Sequence, residues 1–257
     1  MARRATVIQR VRSEAQHPVL VLDAGGTLLG EQLALDSEGR VVVEAMNAMG
    51  YDAMTIGQID MAKGLAALQQ RASEAQFPFL SANLVSKESG QPIFEPYVVL
   101  EREGLHIGVI GVTEPWALEG LESRAPTAQL GDPAAAVRRY LPEVRAQAEI
   151  VVVLSHLGLE DDKSLALAVP GIDVIVGGRS RNLMRAPEQV GQTAIIQIGY
   201  DGEWLGRLDL AVDGAGAVAS TGFEVLYMRQ DVPDDPALAA LVDSYRQRYP
   251  TPTPLSP

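Results

Sequence analysis

PVLVLDAGGTLLG, residues 18–30, joins an apolar run to an Asp-Ala-Gly-Gly-Thr loop. The run predicts a buried strand over 19–23, and the glycine pair predicts a tight turn at its C-terminal end. Strand ends of this kind open on the crevice where α/β sheets bind ligands. The loop therefore raises two questions: what it holds, and why its second glycine, Gly26, carries no side chain.

Outward from this stretch, short apolar runs alternate with helical patterns, which predicts an α/β protein. Helices are expected over 2–15, 41–49 (closed by Gly50), 64–74, 132–147 and 236–248, with a short one near 163–169. Asp132-Pro133 is an N-cap and first-turn pair. Strands are expected over 53–56, 79–83, 193–198, 204–212 and 218–227, the last two joined around Asp213-Gly214. Residues 97–102 and 105–112 flank Glu103-Gly104 as a hairpin. IVVVLS, residues 150–155, is almost purely β-branched and predicts a strand buried on both faces, and 173–176 repeats the pattern. The reading is one domain over 1–248 and a stiff proline-rich tail over 249–257.

Bulk properties narrow the function classes. The chain has 257 residues, 47% hydrophobic and 21% charged, with a formal net charge of −12. That acidity argues against nucleic-acid binding. With no cysteine, disulfides and thiol chemistry are excluded. The N-terminus lacks the apolar core of a signal peptide, and no run of about 18 apolar residues suggests a membrane span. The expectation is a cytoplasmic protein with no membrane partner. Histidine is scarce, with His17, His106 and His156 alone.

Chemistry should sit in four loops: DAGGT (23–27), TIGQID (55–60), LSHLG (154–158) and VGGRSR (176–181). They contain no phosphate loop, no H-E-x-x-H and no nucleophile elbow. In this order and spacing, and with EAMNAMGYDAMTIG, FPFLSANLV, LHIGVIGVTEP and GIDVIVGG between them, they resemble the 5′-nucleotidase family of metallophosphatases, also called calcineurin-like phosphoesterases. The resemblance runs from about residue 2 to about residue 248. It implies a four-layered α/β/β/α sandwich holding two metal ions, which polarise a phosphate and supply a hydroxide. The family's ligands come from D-x-H, G-D, N-H-E, a single His and G-H-x-H.

Matched position by position, that ligand set is broken. Gly26 stands where the bridging Asp would be. Gln58 replaces the Asn, and Ile59 replaces the His that stabilises the departing phosphate. Arg179 and Arg181 replace the G-H-x-H donors, and the sequence begins after the point where D-x-H would lie. Arginine has no lone pair to give and stays protonated, and one histidine with one glutamine is too small a ligand set. The expected cofactor is none.

Each remaining residue has two readings. His156 is an anion ligand or weak acid, or a strand-end histidine bonded to backbone. Arg179 and Arg181, two apart on an extended segment, project together onto an oxyanion, or pair internally with Asp23 or Asp60. Asp23 orients its own loop, and Asp60 supports its neighbour. The implied function is a catalytically degenerate homologue, a pseudoenzyme, that binds phosphate, sulfate or another small anion in the old cleft or acts through protein contacts. The alternative is a residual hydrolase of phosphoric esters with a rearranged site. A sheet lacking its first strand would leave an edge for a second copy to cover, as a homodimer.

Overall fold

The computed structural model describes residues 1–213 and 218–250. Strands β1 (Leu22–Asp23), β2 (Ala53–Thr55) and β3 (Phe79–Leu80) form a parallel sheet in that order. β4 (Leu84–Ser86) pairs antiparallel with β7 (Ala128–Leu130). A second sheet runs in the order β10 (Glu188–Val190), β11 (Thr193–Gln197), β9 (Val174–Gly177), β8 (Ile150–Ser155), β6 (Leu105–Val112) and β5 (Tyr97–Arg102). Its four central strands are parallel. β12 (Trp204–Val212) and β13 (Val218–Tyr227) make a separate antiparallel ribbon. The helices are α1 (Ala2–Glu14), α2 (Gln32–Asp36), α3 (Arg40–Met49), α4 (Leu65–Glu74), α5 (Pro133–Arg145), α6 (Leu159–Ala168) and α7 (Pro236–Arg248). None of them is long and apolar enough to cross a membrane.

β8 shows how the layers are assembled. All six of its residues are buried. Ile150, Val152 and Leu154 join Ala53 and Leu80 of the first sheet in one apolar cluster. Val151 and Val153 point the other way, onto Val137, Leu141 and Val144 of α5 and Leu165 of α6. The period of two along a strand produces this division. Helices α1, α3, α4 and α7 cover the outer face of the first sheet, where Met46, Leu68 and Tyr245 meet Met54 and Phe79. Fully burying one such aliphatic side chain contributes about 1.5–3 kcal/mol.

Most expected elements form with small shifts at their ends. Asp132 Oδ1 accepts the Ala135 N–H at 2.6 Å and starts α5, and Gly50 closes α3 in the left-handed region with φ of 67°. The strand expected over 19–23 shortens to Leu22–Asp23, because the N–H of Val21 bonds the Asp52 side chain at 2.7 Å instead of a neighbouring strand. The short helix expected near Lys163 begins at Leu159, directly after Gly158. α2, β4, β7 and β10 are too short to show a period, and the sequence does not predict them. Gly214 of the expected turn and residues 251–257 of the expected tail lie outside the described residues.

Gly111 of β6 marks a close approach of the two sheets. A Cβ there would meet the Leu80 carbonyl oxygen at 2.5 Å. Backbone cannot swing aside, so Gly111→Ala should lower stability by about 1–3 kcal/mol, read as a drop in the denaturation midpoint. An unchanged midpoint would show that the sheets separate freely.

Candidate functional site

Hydrogen bonds and close contacts bring together, around Asp60 and His156, the loops that leave the C-terminal ends of β1, β2, β6, β8 and β9, and such strand ends are where α/β sheets bind ligands. The floor is built by the first of these loops. Gly25 and Gly26 are both left-handed, with φ of 82° and 73°, so the chain curls and its N–H groups converge. They converge on Asp60. Its Oδ2 accepts from Gly26 and Gly57 at 2.8 Å, and its Oδ1 accepts from Thr27 at 2.9 Å and Leu28 at 2.8 Å. Asp60 is buried; burial pushes its carboxyl upward and the backbone donors oppose that shift. Asp23 Oδ1 accepts the Gly25 N–H at 2.9 Å and the Thr27 hydroxyl at 2.7 Å, holding the loop from its other side.

His156 fills the space above this floor. Its Nδ1 lies 2.7 Å from the Ala24 carbonyl oxygen. A carbonyl only accepts, so Nδ1 carries a proton and, in the neutral ring, Nε2 is bare. The ring rests among glycines. A Cβ on Gly26 would meet His156 Cε1 at 2.7 Å, one on Gly57 would meet Cδ2 at 2.5 Å, and one on Gly178 would meet Nδ1 at 3.0 Å. The first two are closer than real side chains come, and at Gly178 the Ala24 carbonyl oxygen, 2.8 Å from such a Cβ, is the tighter limit. Gly26 is a glycine on two counts: its left-handed backbone disfavours other residues, and an imidazole occupies the place its Cβ would take.

Glu114, on the loop after β6, stands beside the ring and is not singled out by the sequence reading. It is 1% exposed. Oε1 accepts the Gln58 N–H at 3.1 Å and lies 4.0 Å from His156 Nε2, while Oε2 has no partner. Burial pushes its carboxyl upward, and the nearby imidazole and the Gln58 N–H pull it partly back. An acid straight after the apolar run LHIGVIGV is the signal that could have found it. Gln58 presents only its backbone to this group, and Ile59 is 42% exposed at the mouth.

The two arginines are arranged differently from expectation. Their segment is not extended: Arg179 and Arg181 are left-handed, with φ of 66° and 58°, and the Ser180 N–H folds back to the Gly178 carbonyl at 2.8 Å. The side chains consequently part. The Arg179 guanidinium donates to the Leu157 carbonyl at 2.8 Å and lies 4.4 Å from the centre of the Trp116 ring. Arg181 lies 5.2 Å over Tyr200. Among the described residues neither makes an ion pair with Asp23 or Asp60, so the internal pairing is not formed.

Ser180, between the arginines, ties their loop to a buried network. Its hydroxyl donates to Gln197 Oε1 at 2.6 Å and accepts the Leu159 N–H at 3.0 Å. Gln197 Nε2 donates to Asp162 Oδ2 at 3.0 Å, and the Ser155 hydroxyl donates to Asp162 Oδ1. Asp162 is fully buried, and burial pushes it up to about 7 despite those two donors.

No protein-family model matches the chain. It is similar to the 5′-nucleotidase of Bos taurus, 29% identical over 272 residues that span 96% of this chain and 47% of that protein. It superimposes on the 5′-nucleotidase precursor from Thermus thermophilus with a TM-score of 0.87 at 27% identity, covering 96% of this chain and 53% of that one. The calcineurin-like phosphoesterase YfkN from Bacillus subtilis shares the fold, with a TM-score of 0.82, 22% identity, and coverage of 96% and 88%. The chain spans about half the length of the 5′-nucleotidases it matches.

Asp162 gives the cleft wall a pH dependence of definite sign. Its carboxyl is raised on folding, from 3.8 to about 7, so folding takes up a proton. Its contribution to stability is complete below about pH 4 and is lost as pH rises through about 7. Relative to Asp162→Asn, the wild type should lose about 2–3 kcal/mol between pH 5 and pH 8. Denaturant titrations across that range are the measurement. Parallel curves for the two proteins would mean that the group stays ionised in the fold.

Proposed function

We propose, starting from the homology of this chain with the 5′-nucleotidase and calcineurin-like phosphoesterase domains, that it is a catalytically degenerate member of that group whose cleft binds a small oxyanion. The observation that carries this reading is the seat of His156 among Gly26, Gly57 and Gly178.

The donor chemistry of the cleft supports it. Gly26 offers no side-chain atom, and the two arginines offer no lone pair. Both oxygens of Asp60 are taken by backbone N–H groups. What remains is His156 Nε2, Glu114, the Gln58 side chain and the second oxygen of Asp23, and among the described residues no three His, Asp or Glu side chains converge on a point where a metal ion would sit. A two-metal centre does not fit this set. The three apolar clusters support the α/β/β/α layering, and β1, which has a neighbour on one side only, supports a sheet that lacks a strand there.

Anion binding falls to the arginines. Arg179 spends one N–H on the Leu157 carbonyl, and its other donors, with those of Arg181, are on exposed residues and have no hydrogen-bonded partners among the described residues. Guanidinium groups already held against aromatic rings lose little freedom on binding an oxyanion. The cleft wall is cationic in a chain of net charge −12, which favours anions locally.

Elemental analysis of the purified protein should find well under one equivalent of manganese, zinc or iron per chain, with no turnover of p-nitrophenyl phosphate. Near two equivalents with turnover would overturn the reading in favour of a residual phosphoric-ester hydrolase. Phosphate or sulfate should raise the melting temperature, since a ligand at a hundred times its Kd adds about 2.7 kcal/mol to stability. The Arg179→Ala/Arg181→Ala double variant should lose that rise. An equal rise in the double variant would remove the arginines from the site.

A further inference from the structure

The mouth of the cleft carries a feature that a bare oxyanion would leave unused. The Gln58 N–H to Glu114 Oε1 bond, at 3.1 Å, clips together two loops, and each bears a large apolar side chain within two residues of the clip. One is Ile59, 42% exposed. The other is Trp116, half-buried under the Arg179 guanidinium at 4.4 Å. Arg179 is itself tethered beside His156 by its bond to the Leu157 carbonyl at 2.8 Å. Across the loop, Tyr200 is 44% exposed, with Arg181 over its face at 5.2 Å and Trp204 against its edge at 5.9 Å. Ile59 and Tyr200 are two of only four large hydrophobic side chains exposed among the described residues. Two arginines from one short loop thus each lie on an aromatic ring, one of those rings is itself exposed, and Ile59 is exposed on the loop clipped to that of Trp116.

Apolar side chains gain by being covered, and a guanidinium stacked on one ring accepts a second planar group on its other face. Hydrated phosphate or sulfate does neither. An anionic group joined to a flat apolar body would meet the free N–H edges of an arginine and cover the neighbouring carbon surface together.

We propose that the cleft selects aromatic oxyanions, a phosphoryl, sulfo or carboxylate group borne on a planar ring, with Ile59 and the Trp116–Arg179 stack as the platform for the ring. This rests on the oxyanion reading above and adds the class of molecule that carries the oxyanion. Glu114 stands behind the platform with an unpartnered, buried Oε2, so a fully charged small anion driven deep towards it is disfavoured. The ring keeps the ligand at the mouth.

The test compares inorganic phosphate, methylphosphonate and phenylphosphonate by calorimetry on the full chain. A P–C bond resists hydrolysis, so any residual phosphoesterase activity leaves the probes intact. The chain has two tryptophans, and a Trp204→Phe background leaves Trp116 as the sole indole reporter. Phenylphosphonate should bind at least about tenfold more tightly than the other two, a difference that burial of one phenyl ring readily supplies, and should change Trp116 fluorescence. Ile59→Ser, an exposed substitution, should remove most of that advantage while leaving phosphate binding in place. If all three anions bind equally and Trp116 is silent, the aromatic selectivity is wrong and the oxyanion reading stands. If none binds, both fall.

Discussion

Asp60 accepts four backbone N–H groups, three from residues 26–28 and one from Gly57. These donors come from two strand-end loops that are otherwise free to separate, and the carboxylate draws them to one point. The spacing between Gly26 and Gly57 follows from that convergence, and the slot between them is the width of an imidazole. His156 then closes the slot from the second sheet, through its bond to Ala24. The floor of the cleft, the position of its only histidine and the absence of room for another side chain all trace to one buried acid.

The same acid explains the electrostatic balance of the site. Asp60 and Glu114 are both buried within reach of His156, and each is pushed upward by desolvation. Asp60 offsets this with backbone donors, whereas Glu114 has a single N–H and an imidazole 4.0 Å away. The positive charge stands further out, on exposed guanidinium groups laid over aromatic rings. Charge is therefore layered by depth, acids inside and cations at the rim.

The strands and helices were legible wherever a local signal decided them. IVVVLS is buried on both faces because two sheets and two helices press on it, and its composition says so. Asp132-Pro133 starts a helix by chemistry confined to four residues. The resemblance to the 5′-nucleotidase family, read from blocks such as LSHLG and GIDVIVGG, agrees with the comparisons. The site was less legible because its geometry is long-range. The DAGGT loop wraps a carboxylate that comes more than thirty residues later. The arginines part company because of left-handed backbone at two non-glycine positions, which no propensity indicates. Asp162 falls just outside the expected helix, so its place facing Ser155 and Gln197 could not be read from periodicity.

The glycine cradle also governs how this protein can change. An aspartate at Gly26 would drive its Cβ into the ring of His156, and a smaller residue at His156 would leave a hollow beneath the arginines with nothing in it. Neither step alone improves the site, and the second ring of constraints at Gly57 and Gly178 repeats the conflict. Placing a carboxylate at Gly26 requires the histidine and the glycine to change together. The arrangement is mutually locking: each residue is the reason its neighbour cannot change alone, and the cleft is held to its present chemistry by packing.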